Sequence, residues 1–221
     1  MNCSFLIPST SNKRDWKDID ETYLLKILLP SLSNMKSYCK VKVYVGYDID
    51  DKIYSKQRLC QYNNIEIKWI GFDETFKGNP VGIWNELANI AIKAGDEYLM
   101  ILGDDILIPE DKWLDYFILN LQLKNNIGFS AGWSNNNRIP TQFLIHKTHL
   151  DIFGFVFPPT IKAWGCDDIM FETYPDKYIN WNKNVKLLNC GGEPRYKPEH
   201  NRKLWDMLIK RNKKVLNKYL N

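Results

Sequence analysis

Residues 99–108 read Leu99-Met100-Ile101-Leu102-Gly103-Asp104-Asp105-Ile106-Leu107-Ile108, LMILGDDILI. Four apolar residues run into a glycine and two carboxylates, and three apolar residues follow. A continuous apolar run of this length, closed by a turn signal, reads as a strand buried on both faces. Two acids at the end of such a strand admit three readings. They form an ordinary polar turn, for which aspartate is well suited. Or they hold a divalent cation against nucleotide phosphates, either for polymerisation or for a nucleotide-sugar. Mg²⁺ and Mn²⁺ take oxygen ligands and keep positions open for phosphate oxygens. A bare Asp-Asp does not choose among these.

The segments upstream supply the context. Residues 3–10, CSFLIPST, read as a strand ending in the turn Pro8-Ser9-Thr10. Residues 15–29 have a helical pattern, with Trp16, Ile19, Tyr23, Leu24, Ile27 and Leu28 on one face, and Pro30 is expected to stop it. Strands follow at 41–48, VKVYVGYD, and 65–72, IEIKWIGF, with a short helix over 55–62 between them. After the breaker Gly78-Asn79-Pro80, residues 81–95 form a helix closed by Gly95. The alternation of strand and helix predicts an α/β, Rossmann-like domain with a mostly parallel sheet flanked by helices. Ligands of such sheets bind at the carboxyl ends of the strands. That rule places Pro8, Ser9, Thr10, Asp48 and Gly103-Asp104-Asp105 along one rim.

The second half is less regular. Helices are expected at 113–123 and 148–153, and strands at 127–133 and 141–147. WGCDDIMFETY (164–174) reads as a loop capping a helix, 184–192 as the last strand, and 203–220 as a final helix with Leu204, Leu208, Val215 and Tyr219 on its apolar stripe. No repeat, low-complexity run or linker interrupts the 221 residues, so one domain over 1–221 is expected.

Composition narrows the function classes. A net charge of +4 is too small to argue for nucleic acid and suits an anionic small ligand equally well. Five scattered cysteines without a CxxC pair disfavour a disulfide framework or a cysteine zinc site and point to a reducing compartment. No signal-like leader and no apolar run of about 18 residues is present, so a cytoplasmic protein without a membrane span is expected. KRNKK (210–214) reads as a solvated helix face, with weak peripheral membrane contact as the minor alternative.

Each candidate has a plainer reading beside it. Asp48 at a strand end can accept hydrogen bonds from a base or ribose, whereas Asp50 and Asp51 read as a solvated acidic loop. Asp167 and Asp168 offer a general base for an incoming hydroxyl, or simply an N-cap. His146 and His149 in HKTH have metal-like spacing but no nearby acid, and His200 reads as a surface residue on spacing alone. No Gly-rich phosphate loop and no serine nucleophile elbow occurs.

Taken in order, these motifs resemble the GT-A-fold glycosyltransferases that use nucleotide-diphosphate sugars, in particular small soluble members, some of them from large DNA viruses. The resemblance runs from about Ser4 to His200. It implies a nucleotide-binding half over about 1–108, an acceptor-binding half over about 109–200 and a C-terminal helix over 201–221. It implies that Pro8, Ser9, Thr10 and Asp48 hold the nucleoside, that Asn85 faces the sugar or phosphate, and that Arg14, or Lys13, adds positive charge to the phosphates. The family's Asp-x-Asp falls on Gly103-Asp104-Asp105, so its first acid is missing and Asp104 takes over part of the donor contact. Asp105, Asp104 and His200 would hold Mn²⁺ or Mg²⁺. If the reaction inverts, Asp168, with Asp167 second, would be its base; if it retains, no separate base is needed and the pair would bind donor or acceptor hydroxyls. The implied reaction moves a sugar, from a UDP-sugar by preference, to a glycan or other hydroxyl acceptor, in the host cytoplasm if the chain is viral. Two alternatives stay open: a nucleotidyltransferase of related fold, although PSTSNKR (8–14) lacks the Gly-rich loop, and an inactive glycan-binding module using Trp133, Trp164 and Trp181. A polymerase is excluded by size and by the alternating topology.

Overall fold

LMILGDDILI lies at the centre of a seven-stranded sheet. The structure, a computed structural model, describes residues 1–56, 65–195 and 200–221. The run supplies β4 (Tyr98–Ile101), which pairs in parallel with β1 (Asn2–Ser9); β1 in turn pairs in parallel with β2 (Lys40–Asp48), and β2 with β3 (Glu66–Phe72). Beyond β4 the sheet continues through β7 (Phe143–His146), β6 (Phe129–Trp133) and β8 (Ile179–Lys186), in the order 3-2-1-4-7-6-8. Within this sheet, among the described residues, only the pairings of β7 are antiparallel. The fold is therefore the expected mostly parallel α/β sheet.

Side-chain alternation divides the core into two layers. From β1, Cys3, Phe5 and Ile7 enter one layer and Leu6 the other; from β4, Tyr98, Met100 and Leu102 enter the first and Leu99 and Ile101 the second. Successive strand residues point to opposite faces, so a strand covered on both sides must be apolar throughout. The first layer is covered by the helical residues 19–33 and α3 (Trp113–Gln122), the second by α2 (Pro80–Lys93), α4 (Thr148–Phe153), α5 (Cys166–Thr173) and α6 (Arg202–Leu220). The chain leaves β1 toward β2 and β3 and returns to β4 on the other side. The switch point between β1 and β4 is where such sheets open a crevice for ligands.

Several elements differ from expectation. Residues 15–29 do not form one helix. A 3₁₀ turn at Ile19–Glu21 leads into a π-turn at Leu24–Leu28 and then α1 (Leu29–Ser33), so Pro30 sits inside the helical run rather than ending it. A proline has no N–H to donate and crowds the carbonyl four residues back. The wider π-turn, in which Leu29 N–H donates to the Leu24 carbonyl, accommodates it. The last long strand begins at Ile179 rather than at 184, and the expected tail survives only as β9 (Leu188–Asn189), paired with β5 (Ile106–Leu107). On α6 the buried stripe is Trp205, Leu208, Ile209, Asn212 and Leu216, whereas Val215 and Tyr219 face outward. Of the short helix expected over 55–62, the start falls in a 3₁₀ turn at Tyr54–Lys56 and the remainder lies outside the described residues.

Candidate functional site

The crevice at the switch point is a cleft of about 430 Å³, bounded by the turn after β1, the end of β2, the turn after β4, the start of α2 and the segment 189–195. Pro8, Ser9, Thr10, Arg14, Asp48, Asp104 and Asp105 all line it. Thr10 Oγ1 donates to Asp48 Oδ2 at 3.1 Å, and burial raises the Asp48 carboxyl above its ordinary range. Asp51 proves structural rather than solvated. Its carboxylate accepts from Ser11 N (2.7 Å), Ser11 Oγ (2.9 Å), Ile53 N (2.9 Å) and Tyr54 N (3.1 Å), which pins the β1 turn to the segment after β2.

The two acids of Gly103-Asp104-Asp105 have different surroundings. Asp104 is 2% exposed and receives a bidentate pair from Arg195, Nη1 to Oδ2 at 2.9 Å and Nη2 to Oδ1 at 2.6 Å, with Tyr54 Oη donating at 3.3 Å. Asp105 accepts no side-chain hydrogen bond among the described residues. Burial, and then the charge of Asp104, push it up to about 6. Its backbone carbonyl accepts from Cys190 N at 2.9 Å, and the β5–β9 pairing lays Gly191 over its carboxylate. A Cβ at residue 191 would lie 1.7 Å from Asp105 Oδ2, so any side chain there would push the Asp105 carboxylate out of its place. Arg14 Nη2 donates to the carbonyls of Gly191 (3.0 Å) and Glu193 (2.8 Å), and its buried Nε has no partner among the described residues.

A second cleft of about 840 Å³ adjoins the first, and the two share Pro80, Trp84, Ala163, Trp164, Asn189 and Gly192. Both volumes are of the size that holds small ligands. Asp167 and Asp168 line the second cleft from the first turn of α5. Neither caps that helix: the N-cap is Gly165, at φ +87°, against whose Cα the Trp205 indole packs too closely for any side chain. Asp168 is buried and hydrogen-bonded to Arg138. Asp167 accepts from Cys166 Sγ at 2.9 Å, and burial pushes it up to about 6.

Solved structures share this architecture. S. aureus TarS superposes with a TM-score of 0.56 at 13% identity, over 96% of this chain and 43% of that one. TarS 1–349 in complex with UDP-GlcNAc gives 0.59 at 13% identity, over 100% and 72%. A cytidylyltransferase from Leptospira borgpetersenii gives 0.53 at 13% identity, over 97% and 95%. The fold is GT-A-like. The chain spans less than half the length of that first TarS chain. No protein-family model and no curated protein matches the sequence.

On this GT-A-like frame, most of the expected donor residues come together, with two corrections. Asn85 lines neither cleft. Its amide donates to the Phe157 carbonyl (2.9 Å) and accepts from Val156 N (2.9 Å) and Phe157 N (3.0 Å), clipping that loop to α2, and its neighbour Trp84 faces the clefts instead. The set Asp104, Asp105 and His200 does not assemble: no group of three potential ligands forms among the described residues. Asp104 is engaged by Arg195, and His200 lies between the rings of Trp164 and Trp205, 5.9 Å from each, in the second cleft. Among the described residues, Asp105 is the acid of this pair with no side-chain partner, and one such carboxylate could hold a divalent cation only together with substrate phosphates. His146 and His149 are apart from both clefts; His149 is buried between Tyr174 Oη (2.7 Å) and the Val156 carbonyl (3.0 Å), and burial lowers it to about 4.

Arg138 and Arg195 were not singled out from the sequence. They sit in NNNRIP and GGEPR, which carry no recognisable motif, and their partners are 30 and 91 residues away.

Proposed function

We propose that the chain is a glycosyltransferase that moves a sugar from a UDP-sugar to a hydroxyl acceptor. One observation carries the proposal: two adjoining clefts, one with a nucleotide-type rim at the β1/β4 switch point, the other with a carboxylate pair, meet at a wall that includes Trp84 and Trp164. The likeness to TarS bound to UDP-GlcNAc supports a UDP-sugar as donor.

In this reading Asp48 and Thr10 hold the nucleoside in the first cleft. Arg14 and Arg195 place positive charge beside the diphosphate, where charge builds as the glycosidic bond breaks. Asp105 is the residue that would hold Mn²⁺ or Mg²⁺, which when bound supplies Lewis-acid neutralisation of the leaving diphosphate. Asp104 anchors Arg195 and the 189–195 segment rather than holding the cation. The sugar lies against the shared wall, and the acceptor hydroxyl enters from the second cleft. Asp168 was the expected base, but its link to Arg138 leaves Asp167 as the acid of the pair that makes no ion pair among the described residues. We assign proton acceptance to Asp167 and acceptor positioning to Asp168 and Arg138. A base poised near 6 is ionised and still basic at neutral pH.

The test is release of UDP from a panel of UDP-sugars with added hydroxyl acceptors. Asp105→Asn and Asp167→Asn should each lower turnover by at least about a hundredfold, equivalent to ~2.7 kcal/mol of transition-state stabilisation. Full activity in both would refute the assignment. A second reading, a nucleotidyltransferase, is favoured by the match to the cytidylyltransferase over 95% of that chain. It predicts consumption of a nucleoside triphosphate and release of pyrophosphate. An inactive glycan-binding module predicts neither reaction and binding of glycan alone.

A further inference from the structure

The net charge of +4 is concentrated in one element. α6 carries seven cations against the single carboxylate Asp206, a net +6, which leaves −2 for the rest of the chain. Arg202 is paired with Glu172 and Asp206. The other six, Lys203, Lys210, Arg211, Lys213, Lys214 and Lys218, make no ion pair among the described residues and are exposed. The inner stripe of α6, through Trp205, Leu208, Ile209 and Leu216, is committed to the core. The cationic face is therefore not what holds the helix in place.

At about 100° per residue, Lys203, Met207, Lys210, Arg211, Lys214 and Lys218 fall within an arc of about 100° on the outward side. Met207 is at the middle of that arc and 60% exposed. With 19 residues, the helix presents this face along about 28 Å.

We propose that this face of α6 docks on the surface of an anionic lipid bilayer. The charge is complementary to acidic headgroups, and the convex outer face of a helix suits a plane rather than a groove. Four of the five cations in the arc are lysines, whose point charges suit mobile headgroups better than the fixed fork geometry by which arginine reads a phosphate backbone. No aromatic side chain lies in the arc to stack on bases, and Met207 gives the contact an apolar centre able to enter the headgroup boundary. Attachment is peripheral and reversible, because the helix's main apolar stripe stays in the core. No helix among the described residues is long and apolar enough to cross a membrane. The proposal is independent of the transferase reading, although His200, Arg202 and Trp205 bring the start of α6 to the second cleft.

The test is co-sedimentation of the full chain with vesicles of phosphatidylcholine alone or of equal parts phosphatidylcholine and phosphatidylserine, with a duplex DNA probe in parallel. The chain should pellet with the anionic vesicles only, and high salt should release it. Lys210→Gln/Lys214→Gln/Lys218→Gln should lower partitioning more than about tenfold with an unchanged melting temperature. Met207→Ser should weaken vesicle binding severalfold and leave DNA binding as it was. Failure to pellet with anionic vesicles, or an unaffected triple variant, overturns the proposal. DNA held more tightly than vesicles at the same salt, or indifference of vesicle binding to Met207→Ser, replaces it with a general polyanion surface.

Discussion

Asp104 and Asp105 are adjacent in sequence and opposite in circumstance. Removing one partner of a buried, bidentate pair leaves the other charge without compensation. Asp104→Asn should therefore destabilise the protein by roughly 2–4 kcal/mol, measured by chemical denaturation. Asp105 behaves the other way. Its folded pKa is raised, so between about pH 4 and pH 6 the folded protein keeps a proton that the unfolded chain has released. Its contribution to stability is present at low pH and is lost as pH rises through about 6. Asp105→Asn should stabilise the protein at pH 7.5, by roughly 1–2 kcal/mol, and make little difference near pH 4. If both variants lose stability equally at neutral pH, the division of roles is wrong. LGDDIL announced a site but not this division. The difference is set by Arg195, and nothing local to either aspartate encodes it. The same holds for Asp168 and Arg138.

Elements were most legible where the chain's pattern and its burial agree. Each strand of the parallel half was readable because two covered faces demand continuous apolar residues, and the three turns on one rim followed from their position after those strands. Legibility failed where tertiary contact overrides local rules. Pro30 continues a helical run because a π-turn absorbs it, and β8 begins in INWNKN because β6 offers a parallel partner despite the polar composition. Asn85 has the look of a site residue but is spent on holding a loop. A further network ties the first elements together at the opposite end of the sheet: Asp96, with its side chain fully buried, accepts from Ser4 Oγ (2.6 Å), Lys42 Nζ (2.7 Å) and Tyr44 Oη (3.1 Å). Asp96→Ala leaves three donors from β1 and β2 without their acceptor. It should cost roughly 3–5 kcal/mol in a denaturation experiment, whereas replacing the exposed Asp50 should leave the denaturation midpoint essentially where it is.

In the molecule as a whole, the two adjoining clefts make up one proposed reaction path. Two carboxyls poised near 6, Asp105 in the first cleft and Asp167 in the second, both have to be ionised for the proposed chemistry. The rate at low substrate should therefore fall as pH drops through about 6 with two ionisations contributing, and in Asp167→Asn the residual rate should keep only the single Asp105 ionisation in that limb. The donor, however, is the central claim, and ligand-induced stabilisation reads it directly, because a ligand that binds only the folded state must raise the melting temperature. The measurement is a melting-temperature panel of UDP, UDP-sugars, CTP and UTP, each with and without Mn²⁺, on the wild-type chain and on Asp48→Ala. The account predicts a shift with UDP and at least one UDP-sugar, enlarged by Mn²⁺ and lost in Asp48→Ala. A shift with the triphosphates alone, or none with any nucleotide, would contradict it.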